Sequence, residues 1–431
     1  MFLVFSPTME DSVMSFKRIS RYILPLAFLC ALVFAACGGT SGGSSSSGPS
    51  TQKETITIWH GWQGTYLDAK KAIFDAYHAA HPNITINLVN QNDVVGKSIP
   101  AVKANNGPDI IAWADDSLGR LVDSGTVIPT DQYISSDFVN STYSKAAAQA
   151  VSFNGHIYGV PETVEAVTIM YNKKLVNASD LPKTTDDMLN FEKTYSQKHS
   201  GSYGIVWPTY DAYYNAAWFY GFGAFYVKSD GTVGLNTPQA TQAAQYISSF
   251  KPYLPKQIDP NVTKALFTEG KAAAVIDGPW SYASYATQSH IDVGFVTLPV
   301  VASNNSTPAS PFVGVKSLWI SKNAKDVATC ADILKFYTNK VNQLQMIKQT
   351  GEIPANASAS QDSSVTSNPA ISGYAAQAAL GTPLPNTPYM SALWKPVADG
   401  LTAIWTGNET PAQAMSAAQD AANKGVQGIK S

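Results

Sequence analysis

Cysteine is scarce in this chain. Three occur in 431 residues, and two of them, Cys30 and Cys37, fall within the first apolar segment or at its end. Only Cys330 is left for the body, so neither a disulfide framework nor a cysteine-built zinc site is available, and no metal is expected. Charge is sparse as well. Charged residues make up 14% of the chain, the net charge is −2, and no long basic or acidic run occurs, which argues against nucleic acid as a partner. Long hydrophobic runs are missing too. "YILPLAFLCALVFAAC" is broken by Pro25 and falls short of the roughly 20 residues of a spanning helix. No repeat of solenoid period is visible, and no GxGxxG or Walker pattern opens a helix after a strand.

What is present is apolar and aromatic. Hydrophobic residues reach 45%, with 21 Tyr and 9 Trp, enough for large cores and a lean toward an uncharged ligand. A chain of this length suggests two domains. At the N-terminus Lys17, Arg18 and Arg21 precede the apolar stretch, and Ala35-Ala36 close it, so residues 1–36 read as a secretory signal peptide. Met14 serves as well as Met1 for a start, because residues 1–13 add nothing to that signal. "VFAAC" resembles a bacterial lipobox, with Val33 or Phe34 where leucine is usual, and this makes Cys37 the lipidation site. The plainer alternative is an ordinary signal with an incidental cysteine. The Gly/Ser-rich residues 37–52 form a flexible tether with a reach of roughly 20–24 Å. The expected location is the extracytoplasmic face of a bacterial cell membrane, held by a lipid anchor.

The body begins with "TITIWHG", which alternates and is β-branched, as a strand does. "LDAKKAIFDAYHAAHP" then places Leu67, Phe74 and Tyr77 on one helical face, and Pro82 ends it. "NITINLVN" returns to period two, and a further helical segment leads into "DIIAW". Strand, helix, strand, helix, strand is the pattern of an α/β domain with a mostly parallel sheet. A second α/β region follows, with strands at "AVTIMY", "AAAVID", "VGFVTLPV" and "PFVGVKSLWIS". An Ala-rich helical tail starts its last helix at Pro411.

In open α/β sheets ligands sit beyond the carboxyl ends of strands. Trp59 and His60 end the first strand, while Trp113, Asp115 and Asp116 end the third, so rings and carboxylates converge at one sheet edge. Asp115 reads equally as a helix cap or a ligand group, and Asp116 is the better ligand candidate. His78 and His81 have helical spacing, but without an HExxH glutamate they read as a surface helix end.

"GPDIIAWADDSLG", "VPETVEAVTIMYNKKL", "FTEGKAAAVIDGPWSY", "PFVGVKSLWIS" and "PLPNTPYMSALW" resemble, in that order, segments of the maltose/maltodextrin-binding proteins of ABC importers. The resemblance implies a two-lobed periplasmic-binding-protein-like α/β fold with a ligand cleft between the lobes. It divides the chain into lobe one at 53–163 and 318–362 and lobe two at 168–312 and 367–431. The crossings fall at 164–167, 313–317 and 363–366. It implies a ligand set of Trp113, Asp116, Glu165, Asp211, Tyr213, Tyr214, Trp280, Leu384 and Trp394. It also implies an oligosaccharide ligand (an α-glucoside), permease partners with a separate ATPase, a monomer, no cofactor and no catalysis. The residue types suit a sugar: a tryptophan packs the apolar face of a pyranose, and carboxylates accept charge-assisted bonds from its hydroxyls.

The departures bear on which sugar is bound. The family's basic residue beside the first strand is missing from "HGWQG", where Trp62 or Gln63 stands in, and two family arginines are replaced by Ser117 and Ala398. The alternatives are a glycoside hydrolase, whose carboxylate pair would come from distant segments such as Asp116 with Glu165, and a lipid-tethered adhesin or scaffold, for which no repeat module is seen. Asp211 and the "GPW" turn also have plain structural readings, as a helix cap and a chain reversal.

Overall fold

Strand Glu54–His60 alternates as its sequence requires, burying Ile56 and Ile58 completely. It lies between two parallel neighbours, Ile84–Asn90 on one side and Ile110–Ala114 on the other. Helix Gly64–Ala80 makes the first crossover and packs Ile73, Phe74 and Tyr77 inward. Helix Val94–Lys103 makes the second, capped by Asp93, whose carboxylate accepts the Gly96 N–H. These elements belong to a computed structural model that describes residues 53–431. The signal peptide, Cys37 and the tether expected at 37–52 lie outside the described residues. Among the described residues no helix is long and apolar enough to cross a membrane.

Two larger sheets organise the body. The first runs Ile353–Pro354, Gly159–Glu165, Phe312–Ile320, Ile110–Ala114, Glu54–His60, Ile84–Asn90, with Thr382–Pro383 beside Phe312–Ile320. The second runs Val293–Val296, Thr168–Asn172, Ala272–Asp277, Tyr203–Val206. Each has its own core: Ile58, Phe74, Leu318 and Tyr337 in one, Trp207, Trp218, Phe250 and Tyr285 in the other. Mostly parallel sheets were the expectation, and this is corrected: both are mixed. Phe312–Ile320 runs antiparallel to Ile110–Ala114 and to Gly159–Glu165, and Thr168–Asn172 runs antiparallel to both its neighbours. The reason is connectivity, since strands that return from one sheet toward the other enter against the direction of the local crossovers.

The links between the sheets are short. Only Ala166 and Val167 separate Gly159–Glu165 in the first sheet from Thr168–Asn172 in the second. Beside this link Gly314 pairs with Glu165, and the register shifts between Lys316 and Ser317. Such an irregularity re-aims a side chain. The tail follows the sequence pattern, ending in helix Pro411–Lys430 with Thr410 and Gln413 as a capping box.

Candidate functional site

Two cavities lie side by side and share a wall. One, of about 830 Å³, is lined by residues that include Asp116, Glu165, Tyr213 and Trp394. The other, of about 460 Å³, is lined by residues that include Trp62, Gln63, Glu162 and Gln288. Trp113, Trp280 and Lys316 line both. Two glycines let the shared rings lie where they do. A Cβ on Gly61 would stand 2.4 Å from Trp113, and one on Gly278 would stand 2.2 Å from Trp280.

The aromatic wall comes from the second sheet's side. The Tyr213 ring sits between Trp280 and Trp394, at centroid distances of 5.9 and 6.4 Å. Trp280 follows strand Ala272–Asp277 directly, and Asp277 braces that turn. Its buried carboxylate accepts bonds from the Tyr214 hydroxyl (2.8 Å), the Tyr285 hydroxyl (2.7 Å) and the Gly278 N–H (2.7 Å). Tyr214 therefore lines the larger cavity with its ring while its hydroxyl is committed behind it. Leu384 is buried and lines the same cavity.

The carboxylates divide into committed and available groups. Asp115 is not a cap and lines neither of these two cavities: buried, it accepts the Val315 N–H at 2.9 Å and pins the long strand that runs beneath the site. Asp211 caps helix Ala212–Gly221 through Oδ1, accepting the Tyr213 and Tyr214 N–H groups at 2.8 and 3.2 Å, and still lines the larger cavity. Asp116 accepts the Trp394 indole N–H at 3.0 Å, a direct bond between residues 278 apart. Burial pushes its carboxyl up to about 6, against the pull of Trp394 and Lys316. Glu165 holds Lys316 at 3.0 Å through Oε1, and burial raises its pKa although Lys316 opposes this. For Lys316 burial works downward, but Glu165 and Asp116 outweigh it and hold the ammonium above its ordinary value.

Two polar atoms at this floor have no hydrogen-bond partner in the protein. They are Glu165 Oε2 and the Tyr213 hydroxyl, both buried and both on residues that line the larger cavity. Buried polar groups are normally satisfied, so these two atoms are hydrogen-bonding capacity left open at the cavity.

Trp62 stands apart from the larger cavity. It is 5% exposed, stacks on His60 at 4.6 Å, and lines only the smaller cavity as a fixed part of the wall. Lys316 was absent from the expected set. Its signal was a single lysine inside the otherwise apolar "PFVGVKSLWIS", and the structure puts its ammonium 5.5 Å from the centre of the Trp113 ring. Glu162, also missed, belongs to a buried cluster under the smaller cavity. Lys70 Nζ lies 2.6 Å from Glu162 and 3.3 Å from Glu352, with the hydroxyls of Tyr66, Thr163 and Tyr337 donating to the two carboxylates. His78 and His81 do not form a pair: His78 contacts the Ile84 carbonyl and His81 stacks on Tyr77.

The family described as bacterial extracellular solute-binding protein matches residues 72–373. The chain belongs to that family. This solute-binding protein is 28% identical over 414 residues to the galactooligosaccharide-binding protein of Bacillus subtilis, covering 91% of this chain and 95% of that one. It is 26% identical over 419 residues to a maltooligosaccharide ABC transporter solute-binding lipoprotein of Streptococcus pneumoniae, covering 93% and 95%. Among solved structures, the maltose/maltodextrin-binding domain MalE of Bdellovibrio bacteriovorus bound to maltotriose matches with a TM-score of 0.80 and 25% identity. That match covers 86% of this chain and all of the other. The two-lobed α/β architecture of these binding proteins is thus the fold of this solute-binding protein.

Proposed function

We propose that this chain is the lipid-anchored, extracytoplasmic substrate-binding component of an ABC importer. It takes up an oligosaccharide, an α-glucoside first among the candidates, and hands it unchanged to permeases driven by a separate ATPase. The observation that carries this reading is the pair of unpartnered atoms, Glu165 Oε2 and the Tyr213 hydroxyl, under a wall of Tyr213, Trp280 and Trp394. Rings for the sugar faces and acceptors for the hydroxyls are what a pyranose needs. The names of relatives that bind galactooligosaccharide and maltooligosaccharide support the substrate class, and the lipoprotein among them supports a lipid anchor at Cys37. The lobes are assigned as 53–163 with 318–362 and 168–312 with 367–431, and the contact residues as Trp113, Asp116, Glu165, Asp211, Tyr213, Tyr214, Trp280, Leu384 and Trp394, with Trp62 at the smaller cavity.

Binding without turnover suits the arrangement in which Asp116 holds the Trp394 indole, Asp211 a helix N-terminus and Glu165 Oε1 the Lys316 ammonium. Calorimetric titration with maltose, maltotriose, trehalose and a galactooligosaccharide, with the mixtures assayed for cleavage, tests the proposal. One-to-one binding with intact sugar is expected. Cleavage would replace it with a hydrolase, and failure to bind any of the panel would remove the sugar from it.

A further inference from the structure

One residue at the larger cavity is unlike any other in the body. Arg120 is the only arginine in residues 53–431, where every other permanently cationic side chain is a lysine. It stands on helix Leu118–Asp123, one turn beyond Asp116, and lines the larger cavity with it. The cavity's other cations are already engaged: Lys316 is paired with Glu165 at 3.0 Å and Lys395 with Asp399 at 2.7 Å. Among the described residues Arg120 has no ion-pair partner, and its side chain is exposed.

The polar lining here is otherwise rich in acceptors. Asp116, Glu165 and Asp211 can accept hydrogen bonds from sugar hydroxyls, but a hydroxyl that donates still has lone pairs to satisfy. Arg120 is the one uncommitted charged donor in reach of that need. Lysine serves elsewhere in this body wherever a point charge is enough. A guanidinium adds a planar fork of N–H groups, which matches two oxygens side by side. Adjacent ring hydroxyls of a sugar present such a pair of oxygens.

We propose that Arg120 is a specificity-determining ligand residue of this site. Its guanidinium donates two bonds to neighbouring hydroxyls of the sugar ring held at the Asp116 and Trp394 end of the larger cavity. The inference rests on the sugar-binding reading above and adds to it the residue that reads hydroxyl configuration.

The test titrates the wild type, Arg120→Ala and Arg120→Lys with maltotriose, cellotriose and a galactotriose, and records the melting temperature of each free protein. For the sugar that the wild type prefers, Arg120→Ala is expected to lose about 10- to 100-fold in affinity, the range of charge-assisted hydrogen bonds. Arg120→Lys is expected to recover only a minor part of this, and the preference among the three sugars to narrow in both variants. Melting temperatures should stay at the wild-type value, since the side chain is exposed. Arg120→Ala binding within about twofold of wild type, well under one charged bond, would overturn the assignment while leaving the sugar reading intact. Full recovery by Arg120→Lys would overturn the fork. A wild type that binds none of the three sugars would take down the sugar reading and this inference with it.

Discussion

Single side chains at this site work because their backbone gives them room. Trp280 lies across Gly278, where any Cβ would collide with the ring, and Trp394 spends its indole N–H on Asp116 while its ring lies tilted beside Tyr213. Trp280→Ala and Trp394→Ala should each weaken sugar binding at least about tenfold, since a packed ring supplies large apolar area. Calorimetry checks this, and unchanged circular dichroism should accompany it. Asp116 sets a pH dependence. Burial puts its carboxyl at about 6, so the ionised acceptor is full only above that value. Sugar hydroxyls donate to the ionised form, so affinity should decline as pH falls through about 6, and Asp116→Asn should abolish that step at the cost of weaker binding at neutral pH. In the free protein the same raised pKa acts in the opposite sense. The folded state holds the proton more tightly than the unfolded chain, so Asp116 contributes stability that is lost as pH rises from the ordinary carboxylate value toward about 6.

Elements are joined beneath the site by buried polar contacts between distant segments. Asp115 ties the turn after Ile110–Ala114 to the strand Phe312–Ile320, and Lys70 ties helix Gly64–Ala80 to Glu162 and Glu352. Lys70 is wholly buried, and both carboxylates are nearly so. Replacing it leaves two acids facing each other without a cation, which costs about 3–5 kcal/mol in comparable buried pairs. Lys70→Met should therefore lower the urea midpoint sharply at neutral pH. Burial already raises Glu162, with Lys70 as the main opposing influence, so in the variant Glu162 should take up a proton more readily. The loss is expected to shrink as pH falls, and an equal loss at acid and neutral pH would assign the cost to packing instead.

At the scale of the molecule, two sheets with separate cores are joined through links as short as Ala166–Val167, and the residues lining the larger cavity come from both sides. A ligand that touches both sides favours the closed arrangement only by binding it better than the open one. Such a ligand also stabilises the fold by mass action. At a sugar concentration near 100 times Kd the wild type should gain about 2.7 kcal/mol toward urea unfolding. Trp280→Ala at the same sugar concentration should gain much less. The test needs no knowledge of the permease, because it reads only the difference between free and bound protein.

Periodicity alone placed the first strands and helices, because period two and period 3.6 are written in residues that stand next to one another. "TITIWHG" and "NITINLVN" became Glu54–His60 and Ile84–Asn90. Most of the aromatic and acidic residues that line the larger cavity fall on segments singled out by the resemblance. Strand direction was not legible in the sequence, because pairing partners such as Phe312–Ile320 and Ile110–Ala114 are separated by two hundred residues and local pattern carries no sign of who pairs with whom. Nor was the state of each carboxylate. Asp115, Asp116 and Asp211 look alike as letters, yet Val315 takes the first, Trp394 the second and a helix N-terminus the third. The sequence by itself determined which elements form and which residue types are present. Only the tertiary structure decided which polar atoms are already bonded and which remain open, because a hydrogen bond is settled by the neighbour that folding brings within about 3 Å.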